Sequence, residues 1–133
     1  MFKIIIIFFF FLLTIILSNF LHEVGHLIVG KRFGLKPRDV KLFDWRPRIV
    51  FEGSSRQRKA WFFTSIAGCV MNGVVACIAL IASLFCQNLV IHLIVIIVGT
   101  YNCCLFLNLL PCCADGRTAI EAIRDKLKGG DNE

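Results

Sequence analysis

The sequence predicts an all-α membrane protein: three transmembrane helices, a small β-hairpin between the first and second, and a short C-terminal surface helix. Three observations predict it. Of the 133 residues 57% are hydrophobic, 13 of them Phe, and mean hydropathy is +0.75, well beyond a soluble domain of this size. Three apolar stretches each reach the roughly 20 residues that cross a hydrocarbon core. Between and after them lie two short polar segments that hold nearly all the charge.

The first stretch, Ile4 to Leu21, is interrupted only by Thr14, Ser18 and Asn19, and helical character is expected to continue to about Gly30. Lys3 ahead of an apolar run has the look of a secretory signal. No small-x-small cleavage site follows, so a retained helix is expected. The second and third spans are expected at about Ala60–Cys86 and Leu89–Leu110. All must be helical, because lipid offers no partner to open backbone groups.

Charge sets the expected orientation. Ten of the 15 Lys and Arg fall between Lys31 and Lys59 and four follow Asp115, whereas Gln87-Asn88, joining the last two spans, carries none. The positive-inside rule then puts the 31–59 loop and the tail in the cytoplasm and the N-terminus outside, in a multi-pass protein of a bacterial cell membrane. The net charge of +6 reports orientation and contact with the lipid bilayer, and no nucleic-acid partner is expected.

Within the basic loop, Val40–Trp45 and Arg48–Glu52 are runs of β-branched and aromatic residues on either side of Arg46-Pro47, which reads as an interfacial hairpin at about residues 40–52. It either lids the helices or binds something. Trp45 and Trp61 suit the membrane boundary. In the tail, Ala119, Ile120, Ile123 and Leu127 recur among charges, giving a surface helix at about 115–128 that ends at Gly129-Gly130, with Asp131-Asn132-Glu133 frayed. A single membrane-embedded unit therefore accounts for residues 1–133.

Chemistry enters at His22-Glu23-Val24-Gly25-His26, at the far end of the first span. Residues four apart share a helix face, so His22 and His26 can hold one zinc ion while Glu23 reaches a water on it. Ionisable residues inside a span are expensive and by default functional. The bland alternative is two capping histidines and a glutamate at the headgroups. A two-histidine zinc needs a third protein ligand and an open position. Pro111 is expected to end the third helix, and Asp115-Gly116 then returns a carboxylate toward the histidine end. Asp115 also suits the N-cap of the tail helix, and Asp39, Asp44 and Glu52 are rival ligands. Of the seven cysteines, Cys69, Cys77, Cys86, Cys103 and Cys104 fall in spans, where cysteine usually serves as a small apolar residue. Cys112 and Cys113 lie close enough to Asp115 to touch a metal, and whether either does stays open.

In the order of its motifs the chain resembles the site-2 protease family of intramembrane zinc metalloproteases, in a minimal form. Phe20-Leu21-His22-Glu23-Val24-Gly25-His26 on the first helix, a β-rich loop, Gly68-x-x-x-Asn72 on the second helix, and Asn108-Leu109-Leu110-Pro111 leading to Asp115-Gly116 carry the likeness over nearly the whole length. The resemblance implies that His22, His26 and Asp115 bind zinc, that Glu23 is the catalytic base, and that Asn72 and Asn108 contact substrate backbone or the developing oxyanion. It further implies an endopeptidase that cuts a single-pass membrane protein or leader peptide, received in extended form by the β-rich loop. Cys69 stands where the family commonly has proline, and the Asn108–Asp115 stretch lacks a second proline and is one residue short. The 133 residues leave no room for a PDZ or CBS domain; a homo-oligomer or a regulatory membrane partner stays open. The rival class is a catalytically silent membrane adaptor or metal-handling protein on the same helical core.

Overall fold

The computed structural model describes residues 2–42, 47–52 and 57–129, with only the backbone for 125–129. Among them the chain forms helix α1 (Phe2–Arg32), strands β1 (Lys36–Lys41) and β2 (Arg48–Glu52), helices α2 (Arg58–Ser83) and α3 (Leu89–Phe106), a 3₁₀ turn at Leu107–Leu109, and helix α4 (Ala114–Gly129). Three stretches, Phe2–Arg32, Arg58–Ser83 and Leu89–Arg124, are mostly helical and are long and apolar enough to cross a membrane.

Burial is inside out. The buried residues of α1 are Thr14, Ser18, His22, Gly25, His26 and Gly30, which recur every three or four positions and so form one face. Phe8, Phe9, Ile16 and Leu17 point outward. On α2 the buried set is likewise small or polar, including Thr64, Gly68, Cys69, Asn72, Ala76 and Ala79. Helices in lipid associate in this way, through small residues that allow close approach and polar groups that bond across the interface. Two close approaches fix the α1/α2 crossing. A Cβ on Gly25 would lie 3.0 Å from the Ala67 carbonyl oxygen, and one on Gly68 would lie 2.8 Å from that of His22. The central helix is α2, which packs against α1, α3 and α4. α1 and α3 are tied by Asn102 Nδ2, which donates to Ser18 Oγ at 2.8 Å, and by Asn19 Nδ2, which donates to the Tyr101 hydroxyl at 3.3 Å.

The spans differ from expectation mainly at their ends, for local reasons. α1 runs on to Arg32 because Gly34, at φ 81°, closes a Schellman cap: Leu35 N–H donates to the Gly30 carbonyl at 2.9 Å and Gly34 N–H to that of Lys31 at 3.0 Å. Leu35, buried beyond the cap, delivers the chain straight into β1, so the first strand starts at Lys36 rather than Val40. It pairs antiparallel with β2 from Lys36 opposite Glu52 to Lys41 opposite Arg48, with a register shift between Pro37 and Asp39. The expected strand residues Phe43, Asp44 and Trp45, and Arg46 of the turn, lie outside the described residues. α2 stops at Ser83, three residues short of expectation, where i→i−3 bonds from Leu84, Phe85 and Cys86 tighten the chain. Asn88 then caps α3, its side chain accepting from the N–H groups of Val90 and Ile91.

Pro111 does not end the third helix directly. The α-helix gives out at Phe106 and tightens through the 3₁₀ turn, and Leu110, as the residue before proline, is extended at ψ 146°. α4 begins at Ala114, so Asp115 lies inside the helix and is not its N-cap. Ile120 and Ile123 are exposed, and α4 buries Gly116 and Ala119. Leu127's side chain, Gly130 and the last three residues lie outside the description.

Candidate metal centre

His22 and His26, one turn apart on α1, are each only 8% exposed, and their rings meet edge to face with centroids 4.7 Å apart. At 1.5 Å per residue, His26 and His22 lie about 9 and 15 Å back from Arg32 along α1, and Gly68 about 15 Å along α2 from Arg58. α2 fixes both rings through Nδ1. His26 Nδ1 lies 2.6 Å from the Thr64 carbonyl oxygen; a carbonyl only accepts, so Nδ1 carries the proton and Nε2 keeps its lone pair. His22 Nδ1 lies 3.0 Å from the amide nitrogen Nδ2 of Asn72.

The two Nε2 atoms therefore face each other, 3.1 Å apart. From the start of α4, Asp115 Oδ2 approaches His22 Nε2 to 3.1 Å and Oδ1 lies 3.7 Å from His26 Nε2. Two N or O ligands on a tetrahedral zinc sit about 3.3 Å apart, a spacing these three separations bracket. Gly68 makes the approach possible, since a Cβ there would stand 2.5 Å from His26 Nε2. A buried orphan supports the fit: Asn72 Oδ1 has no hydrogen-bond partner. A half-turn of the amide would let Oδ1 accept from His22 Nδ1–H, which leaves the Nε2 lone pair free for a metal.

The structure thus brings His22, His26 and Asp115 together, as the sequence predicts. It also brings in Cys69, expected to be only a small apolar spacer. Cys69 Sγ lies 3.5 Å from Asp115 Oδ2, and ligand atoms of His22, Cys69 and Asp115 all fall within 4.8 Å of one another. The rival ligands go elsewhere: Glu52 faces Arg38 at 3.4 Å and Asp39 faces Arg48 at 3.6 Å, on the hairpin surface, while Asp44 lies outside the described residues. Cys112 and Cys113, with Sγ atoms 3.9 Å apart, are not in the ligand cluster among the described residues.

Glu23, half-buried, lines a cavity of about 310 Å³ together with His26, Asp115, Thr64 and Trp61. Arg48, Ile49 and Phe51 of β2 form the opposite wall. The Ile49 backbone N–H lies near the Glu23 carboxylate, and the Phe51 ring covers Gly30, where a Cβ would stand 2.6 Å from ring carbons. Asn72 is fully buried behind His22 and does not line the cavity. Asn108 sits half-buried in the 3₁₀ turn and does not line it either. No protein-family profile, curated protein or solved structure matches this chain.

Proposed function

We propose that this chain is an intramembrane zinc metalloendopeptidase of the site-2 protease kind. The observation that carries the reading is the convergence of His22 Nε2, His26 Nε2 and the Asp115 carboxylate at metal-ligand spacing, with Glu23 beside them in a cavity that a β-strand borders. Those three residues hold the metal. When bound, zinc polarises the scissile carbonyl and makes a water nucleophilic near neutral pH.

The remaining work falls to the chain's own residues. Glu23 takes a proton from the attacking water as its oxygen bonds to the peptide carbon, and returns the proton to the amine nitrogen as the C–N bond breaks. Its placement on the cavity side of the ligand set suits that traffic. Thr64 holds the His26 ring in the tautomer that leaves Nε2 free, and Asn72, with its amide turned so that Oδ1 accepts from Nδ1–H, would do the same for His22.

A peptide bond inside a helix is shielded by the helix's own hydrogen bonds, so the substrate must be unwound. The two-stranded hairpin has unpaired edges, and an extended segment laid along one would recover main-chain hydrogen bonds next to the cavity. The substrate class is a single-pass membrane protein or a leader peptide. The charge distribution supports an N-terminus outside and a centre that opens toward the cytoplasm.

The test is cleavage by the purified full-length protein in detergent, loaded with zinc and offered a panel of single-pass membrane proteins encoded beside it. Cleavage that stops on chelation and returns with zinc supports the proposal. Stoichiometric zinc with no cleavage of any panel member favours the metal-handling class instead.

A further inference from the structure

Cys69 is the single buried cysteine among the seven, with none of its surface exposed. The other six are exposed or half-buried. It sits on the same face of α2 as Asn72, three residues on, and next to Gly68, the residue whose missing side chain lets α2 touch the histidines. Its sulfur therefore reaches the centre by the same close approach that forms it.

A sulfur and an oxygen bound to one tetrahedral zinc stand about 3.5 Å apart, given Zn–S near 2.3 Å and Zn–O near 2.0 Å, and Cys69 Sγ to Asp115 Oδ2 measures 3.5 Å. The His22 ligand atom lies within 4.8 Å of that sulfur. Charge points the same way. A divalent ion attracts a thiolate as it does a carboxylate, and cysteine sulfur is a common zinc ligand.

We infer that Cys69 is a ligand of this centre, its sulfur joining His22 and Asp115 on the metal. The inference rests on the metal-centre reading above and adds a consequence to it. A position taken by sulfur is one that water cannot occupy, so Cys69 sets how much of the metal is open.

The test is cobalt(II) substitution of the purified full-length protein in detergent, read by absorption and by metal stoichiometry. Wild type should bind one cobalt and show a thiolate-to-cobalt charge-transfer band in the near ultraviolet together with intense tetrahedral bands in the visible. Cys69→Ser should lose the ultraviolet band and keep the visible ones, with zinc affinity down by at least the roughly 10-fold that losing an outer-shell partner costs. The Cys112→Ser/Cys113→Ser double variant should keep both. Cobalt that binds in a His22-dependent manner without the ultraviolet band in wild type overturns the assignment of Cys69 and leaves the centre standing. A band that persists in Cys69→Ser but vanishes in the double variant does the same. Failure of wild type to bind cobalt at all overturns the inference together with the metal centre.

Discussion

Glu23 and Asp115 are both carboxylates at the edge of one cavity, yet their neighbours assign them opposite roles, and substitution separates the two. Asp115 touches both Nε2 atoms, so Asp115→Ala should give folded protein that is zinc-poor and inactive. Glu23 faces the cavity and the Ile49 N–H, so Glu23→Gln should keep near-stoichiometric zinc and lose on the order of 10²-fold or more in rate. Metal analysis beside a cleavage assay checks both, and parallel loss of zinc in Glu23→Gln would make it a ligand or a structural residue. Asn72 is the sharper case. The family resemblance implies contact with substrate or oxyanion, but the residue is sealed behind His22 at 3.0 Å from Nδ1. Acting through His22, it predicts that Asn72→Ala weakens zinc binding about 10- to 100-fold; loss of turnover with zinc affinity intact would return it to the oxyanion. The spacing of His22, Glu23 and His26 was legible because one helical turn fixes it. Cys69 was not, because its place depends on how two helices cross.

That crossing is a property of elements, and Gly68 is where it can be perturbed with least else disturbed. A Cβ there meets His26 Nε2 at 2.5 Å and the His22 backbone oxygen at 2.8 Å; side chains can turn away, but backbone cannot, so the helices must separate. Gly68→Ala should therefore cost stability in the range of core overpacking, about 1–3 kcal/mol, and also disperse the ligand set so that zinc is lost. Gly34→Ala is the control. Nothing lies within 4 Å of its added Cβ and only the left-handed φ of 81° opposes it, so it should cost about 1 kcal/mol with zinc retained. Thermal unfolding in detergent with metal analysis of each variant checks the pair; retained zinc in Gly68→Ala would mean that the centre does not need this approach. Most element boundaries follow from apolar runs and were readable as such. The start of β1 and the end of α3 were not, since each is set by hydrogen bonds local to Leu35 and Leu110, and neither composition nor periodicity reports those.

At the scale of the whole molecule, two independent asymmetries bear on how the chain lies in a bilayer. One is radial: Phe and Ile outside, Thr, Ser, His, Asn and Gly inside, a pattern that water disfavours and lipid tolerates. The other is axial. The hairpin, the start of α2 and the start of α4 gather at the end where the metal ligands lie, and the chain's Lys and Arg concentrate in those segments, while the α2–α3 connection at the opposite end carries no charge. The positive-inside rule would place this charge, and the cavity with it, toward the cytoplasm, the side from which the proposed reaction would draw water. In a background with all seven cysteines replaced by alanine, a single cysteine at position 88 should react with an impermeant maleimide in intact cells, and one at position 54, in the basic loop, should react only after permeabilisation. Because replacing Cys69 bears on the metal and not on which loop crosses the membrane, the labelling reads orientation even in a zinc-poor protein. The reverse pattern would turn the cavity outward, and the substrate would then have to be cut from the opposite face.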